Sequence, residues 1–188
     1  MTKSIFALFL VGILAGGQAA QEAQTKPGTG LIKKPPKAVK GLSGPVTSSE
    51  VIAVCHRVES ALQRVLKLPP APKTALKEST APARRDPIVL EFERLYIYAR
   101  PKFVVTFRPA LIDRSLIDLK STAARQAAEQ LILAGCIGRA APLVSGPGET
   151  LSARDFGETV GHFIARLAEY THTPTSRFSP YLNGAAGN

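Results

Sequence analysis

The chain has 188 residues, a formal net charge of +10, no tryptophan and two cysteines. That length supports one domain with a real core, and the positive balance favours an anionic partner without naming one. No Gly-Lys-Ser/Thr phosphate loop, His-Glu-x-x-His or Gly-x-Ser-x-Gly pattern is present, which removes the reaction classes those motifs carry.

Lys3, the apolar run from Ile5 to Leu14 and then Gly17-Gln18-Ala19 follow the charged, apolar, small order of a signal peptide. Residues 1–20 are therefore expected to be removed on export, with cleavage near Ala19 or Ala20. No later run approaches the roughly 20 apolar residues of a membrane span, so none is expected after cleavage. The expected location is exported: periplasm, cell envelope or secreted. Export sets nucleic acid aside as a partner.

Residues 21–46 read as a disordered, Lys/Pro-rich tether. No acidic residue occurs from Gln24 to Ser49, and Lys33, Lys34, Lys37 and Lys40 alternate with Pro27, Pro35 and Pro36. Too few large apolar residues are present to offset the entropy of ordering. The segment serves either as a solvated spacer or as an electrostatic tether to an anionic polymer, and salt would weaken the second.

A helical domain is expected over 47–182. Thr47-Ser48-Ser49-Glu50 is a complete capping box. Val51, Cys55, Val58, Leu62 and Val65 then fall on one face, and Pro69 closes the helix. Residues 69–86 form a proline-rich linker. Asp86-Pro87 suits a helix start, with Asp86 as cap. From there to residue 107 helix and strand compete, with helix favoured over 88–99. Phe103-Val104-Val105-Thr106-Phe107 is the best strand candidate, so the expected fold is mainly α with at most one short strand pair.

The stretch from Asp118 to Tyr170 is the expected centre. Ala124, Ala127, Ala128, Leu131 and Ile132 share a helix face, and Gly135 supplies the left-handed stop. The loop 139–150, with Pro142, Gly146, Pro147 and Gly148, cannot continue a helix. Ser152 and Asp155 then cap a second helix striped by Phe156, Val160, Phe163, Ile164 and Leu167. The two helices bury these faces most simply against each other. Phe178, Tyr181 and Leu182 are placed to dock on the core, and residues 183–188 form a loose tail.

Asp118-Leu119, Ala124, Leu131, Gly135, Ile137-Gly138, Pro147 and Leu151-Ser152-Ala153-Arg154-Asp155-Phe156 together resemble one S-layer homology repeat. Val46-Thr47-Ser48-Ser49-Glu50-Val51 is similar to the start of the second helix of such a repeat, giving a half repeat before the full one. Where that family carries a polymer-contacting arginine, after a threonine, this chain has Ala153 in the full repeat and Ser48 in the half repeat; Arg154 lies one position on. The resemblance implies SLH-like helix-loop-helix units and an extracytoplasmic module that holds cell-wall polysaccharide or peptidoglycan without covalent chemistry. It places the candidate polymer site at Ser152, Arg154 and Asp155, with Asp118 capping or orienting the first helix.

The remaining reactive groups are sparse. Cys55 and Cys136 are far apart and lack metal-type spacing; they form either a disulfide after export or two buried thiols. His56 follows Cys55 and points about 100° away on a helix, which argues against a nucleophile–base pair. His162 reads as a surface residue. No cofactor, metal or catalytic residue is expected. The resulting expectation is a non-catalytic envelope protein that binds an anionic polymer. The alternative is a helical scaffold or accessory subunit that meets a protein partner or a second copy of itself.

Overall fold

A computed structural model describes residues 44–105, 109 and 111–182. The expected signal peptide, the tether up to residue 43 with Lys33, Lys34, Lys37 and Lys40, and the tail 183–188 lie outside the described residues.

The described chain is mainly helical. Its elements are α1 (Ser48–Leu66), α2 (Arg85–Ala99), α3 (Thr122–Leu133), α4 (Pro142–Ser145), α5 (Ala153–Tyr170) and α6 (Ser179–Leu182), with single 3₁₀ turns at 100–102, 114–116 and 175–177. Both arms of the α1 capping box form: the Thr47 hydroxyl accepts from the Glu50 N–H, and the Glu50 carboxylate accepts from the Thr47 N–H at 2.8 Å. Ser121 caps α3 by accepting from the Ala124 N–H. Gly135 follows at φ +65°, where a side chain would be strained and would meet the Arg166 guanidinium. Ser152 accepts from the Asp155 N–H, while the Asp155 carboxylate reaches back to the Ser152 hydroxyl rather than to its backbone.

Three helix starts converge. The N–H of Ser48 donates to the carbonyl of Ala81 at 3.1 Å, that of Arg85 to Glu149 at 2.8 Å, and that of Ala153 to Gly44 at 2.9 Å. Each start thus donates to the next in a closed ring. A second tier runs in the opposite sense, from the Val46 N–H to Leu151 and from the Ala83 N–H to Val46. Val46, Ala83 and Leu151, each two residues ahead of its helix, are buried together at the centre. These are isolated bridges, and no sheet is built among the described residues. The ring makes Ser48, Arg85 and Ala153 equivalent by hydrogen-bond position, a three-fold relation between segments of unlike sequence.

The core differs from the expected pairing of α3 with α5. The most extensive helix contact joins α2 to α3, and α2 also meets α1 and α4. Phe92 of α2 packs edge-on against Phe163 and Phe156 of α5, with ring centroids 4.9 and 6.2 Å away. So α2, where the sequence favours helix over strand, is the partner that both faces needed. α5 closes on the end of α3 through polar contacts: Tyr170 and Arg166 reach the Ala134 carbonyl, and His162 lies 2.9 Å from that of Gly135.

Two local expectations are corrected. Asp86 does not cap α2; its carboxylate accepts from the backbone N–H groups of Lys120 and Ser121. The described part of the strand candidate forms no strand. Phe103 instead wedges between the rings of Tyr96 and Tyr170, and the Val104 N–H donates to the Tyr170 carbonyl. The linker before α2 is pinned rather than free, by Tyr98 to the Pro69 carbonyl, Arg94 to that of Pro72 and Thr74 to Glu91. The tail docks through Phe178 and Leu182, both fully buried.

Phe92→Ala removes the ring shared by α2 and α5 and is expected to destabilise the fold by about 3–5 kcal/mol in urea unfolding. A loss below about 1 kcal/mol would refute the central place given to α2.

Candidate functional site

A cavity of about 700 Å³ opens where the first turns of α2 meet the linker and the loops ahead of α3 and α5. Its charged lining is mixed: Lys73, Arg84, Arg85, Arg94 and Lys120 against Asp86, Glu91, Asp118 and Glu149. Most of these charges are already matched. Glu91 is buried and receives Arg94 and Thr74, and Arg94 also reaches Glu59 at 3.1 Å. Glu149 receives Lys120 and faces Arg84 at 3.6 Å. The Asp86 carboxylate holds two backbone donors, one on each oxygen. Burial would raise its pKa, but the N–H groups of Ser121 and Lys120 and the charge of Arg85 outweigh burial and hold it below the usual carboxylate range.

Arg85 is the exception. It is only 5% exposed, and its Nη2 donates to Asp118 Oδ2 at 3.2 Å. Among the described residues its Nε and Nη1 have no acceptor. A buried donor left unmade costs about 1–3 kcal/mol, and more when the group is charged. Arg84 and Arg85 also stand at the N-terminus of α2, where the helix dipole disfavours positive charge and favours an anion. The sequence therefore places a guanidinium where the fold alone does not want one.

The expected site residues separate in space. Asp118 lines the cavity; Ser152, Arg154 and Asp155 are not part of its lining. Ser152 and Asp155 are engaged with each other in the α5 cap, and exposed Arg154 pairs with Glu158 one turn along at 2.9 Å. Asp118 does not cap α3, whose cap is Ser121; its backbone N–H instead anchors to the Val144 carbonyl. Arg85 was not among the expected residues. The signal lay in Ala83-Arg84-Arg85-Asp86-Pro87-Ile88, which stands in the same frame as Val46–Val51 and Leu151–Phe156. In that frame Arg85 occupies the position of Ser48 and Ala153.

Of the two alternatives for Cys55 and Cys136, the structure has the buried thiols and not the disulfide. Cys55 feels the charges of Glu91 and Arg94, while Cys136 lies near Tyr96. Arg94 and Tyr96 point about 200° apart on α2, which places the helix between the thiols. Burial pushes both thiols up, Cys136 to about 12, so neither supplies thiolate at neutral pH. Among the described residues no group of three His, Cys, Asp or Glu is placed to hold a metal, and no helix is long and apolar enough to cross a membrane.

Compared with family models, with curated proteins and with solved structures, the chain matches none.

Two outcomes follow from this geometry. Arg85→Met is expected to leave stability unchanged or raise it by about 1–2 kcal/mol in urea unfolding, because it removes unmade donors and a charge opposed by the helix dipole. Asp86 has a lowered folded pKa, so its contribution is fully present above the ordinary carboxylate value near 4 and fades as pH falls through the folded one. Asp86→Asn should therefore destabilise at neutral pH and flatten the acid limb of a stability–pH curve.

Proposed function

We propose that this chain is an exported, non-catalytic cell-envelope protein whose cavity binds an anionic cell-wall polymer, either peptidoglycan or another envelope polysaccharide. The observation that carries the reading is Arg85, a buried guanidinium with unmade donors on the wall of an accessible cavity. A site of that kind is completed by an oxyanion, through charge-assisted bonds roughly twice as strong as neutral ones.

The resemblance to S-layer homology repeats supports the same reading from another direction. Ser48 and Ala153 hold the position at which that family carries its polymer-contacting arginine, and the ring of helix starts gives Arg85 the same position. The proposed polymer site therefore moves from Ser152, Arg154 and Asp155 to the cavity shared by Arg85 and Asp118. Lys33, Lys34, Lys37 and Lys40 would add a salt-sensitive electrostatic contribution.

Mature protein mixed with purified cell-wall material is expected to co-sediment, and Arg85→Gln to lower the bound fraction at least about tenfold, the loss of one charge-assisted contact. Arg154→Ala should have little effect. Protein that stays wholly in the supernatant, or an Arg85→Gln variant that sediments like the parent, overturns the reading. Capture of one stoichiometric protein, with no polymer bound, would favour the scaffold alternative instead.

A further inference from the structure

Among the described residues Arg85 has one acceptor, and that acceptor is poorly held. The Asp118 side chain is 75% exposed, and its 3.2 Å contact to Nη2 uses a single oxygen. Charge-assisted N–H···O bonds are commonly about 2.7–2.9 Å, and paired arginine–carboxylate bonds are usually two-pronged. The backbone beneath Asp118 is fixed, because its N–H donates to the Val144 carbonyl at 2.8 Å. The carboxylate can therefore swing on its own side-chain torsions without opening the loop. Of the other acids at the cavity, Asp86, Glu91 and Glu149 are each tied to donors other than Arg85. Asp118 is thus the acid on the cavity wall that an incoming anion must displace.

We propose that Asp118 is a built-in competitor at an oxyanion site on Arg85: it covers the guanidinium when the cavity is empty and swings into solvent when a carboxylate or phosphate oxygen takes its place. This rests on the anion-binding cavity proposed above, but it assigns Asp118 the opposite role from a polymer contact. A ligand contact would lose affinity on neutralisation; a competitor gains it. The device also sets selectivity. A neutral sugar offers Arg85 only uncharged acceptors in exchange for Asp118, whereas an anionic group replaces one charge pair with another and engages donors that Asp118 leaves unmade. Entry of the ligand requires the guanidinium to turn, since Nε and Nη1 are shielded from solvent.

The test follows the Arg85 Nε–H resonance by NMR during titration with inorganic phosphate and, separately, with glucuronate, in the parent, Asp118→Asn and Asp118→Ala. Both variants are expected to bind more tightly than the parent by roughly two- to fivefold, the strength of a partly exposed ion pair. Asp118→Asn keeps an acceptor for Nη2 and should melt close to the parent, whereas Asp118→Ala leaves the buried guanidinium without one and should melt lower. The better of the two probes distinguishes a phosphate-bearing from a carboxylate-bearing ligand. Unchanged or weaker binding in both variants, or no Arg85 response in any of them, overturns the proposal. If the variants tighten on the small anions while the parent ignores cell-wall material, the competitor stands and the polymer reading fails.

Discussion

The ring of main-chain hydrogen bonds among residues 44–48, 81–85 and 149–153 is the constraint on which the rest of the molecule depends. It brings three helices to one point and sets their spread. Once those starts are fixed, each apolar stripe has one direction in which to find cover. α2 lies where α1, α3 and α5 all need a partner, and Phe92 carries its ring contacts with α5. The cavity is a by-product of the same junction. A wedge opens beside the first turns of α2, and the linker before it and the loops before α3 and α5 wall it in.

Function and stability pull in different directions at this wedge. Asp86 is placed for stability: it holds two backbone donors of the next loop and is stabilised by them in turn. Its neighbour Arg85 is placed against stability, with a charge at the wrong end of a helix and donors left unmade. Adjacent residues on one turn thus serve opposite ends, and the contrast makes the arginine informative. Buried ionic groups are expensive to keep, and a hydrophobic residue of similar size commonly does as well or better for folding.

Much of the fold was legible from local rules. The capping box at Thr47–Glu50, the Ser152 cap, the stop at Gly135 and the buried stripes of α3 and α5 all follow from spacing and residue type, whereas the α3 cap is Ser121 and not the expected Asp118. What the rules missed was long-range. Asp86 looks like a cap because an aspartate before a proline usually is one; its carboxylate was claimed by N–H groups more than thirty residues away. Phe103–Val105 has strand composition, but its apolar side chain found an aromatic slot before its backbone found a strand partner. Arg85 escaped notice because the helix it begins lacks the small-residue and cap pattern of the other two starts. Equivalence among the three is carried by backbone atoms, and a reading of side chains does not register it.

That reliance on main-chain atoms bears on how the molecule assembles. The junction joins positions from 44 to 153, so its bonds close long loops, and closure entropy must be overcome before they contribute. Helical hairpins with local contacts form early in such topologies, and distant pairings come late. The centre of the finished architecture is thus among the last parts to lock, and until it does the wedge that houses Arg85 does not exist.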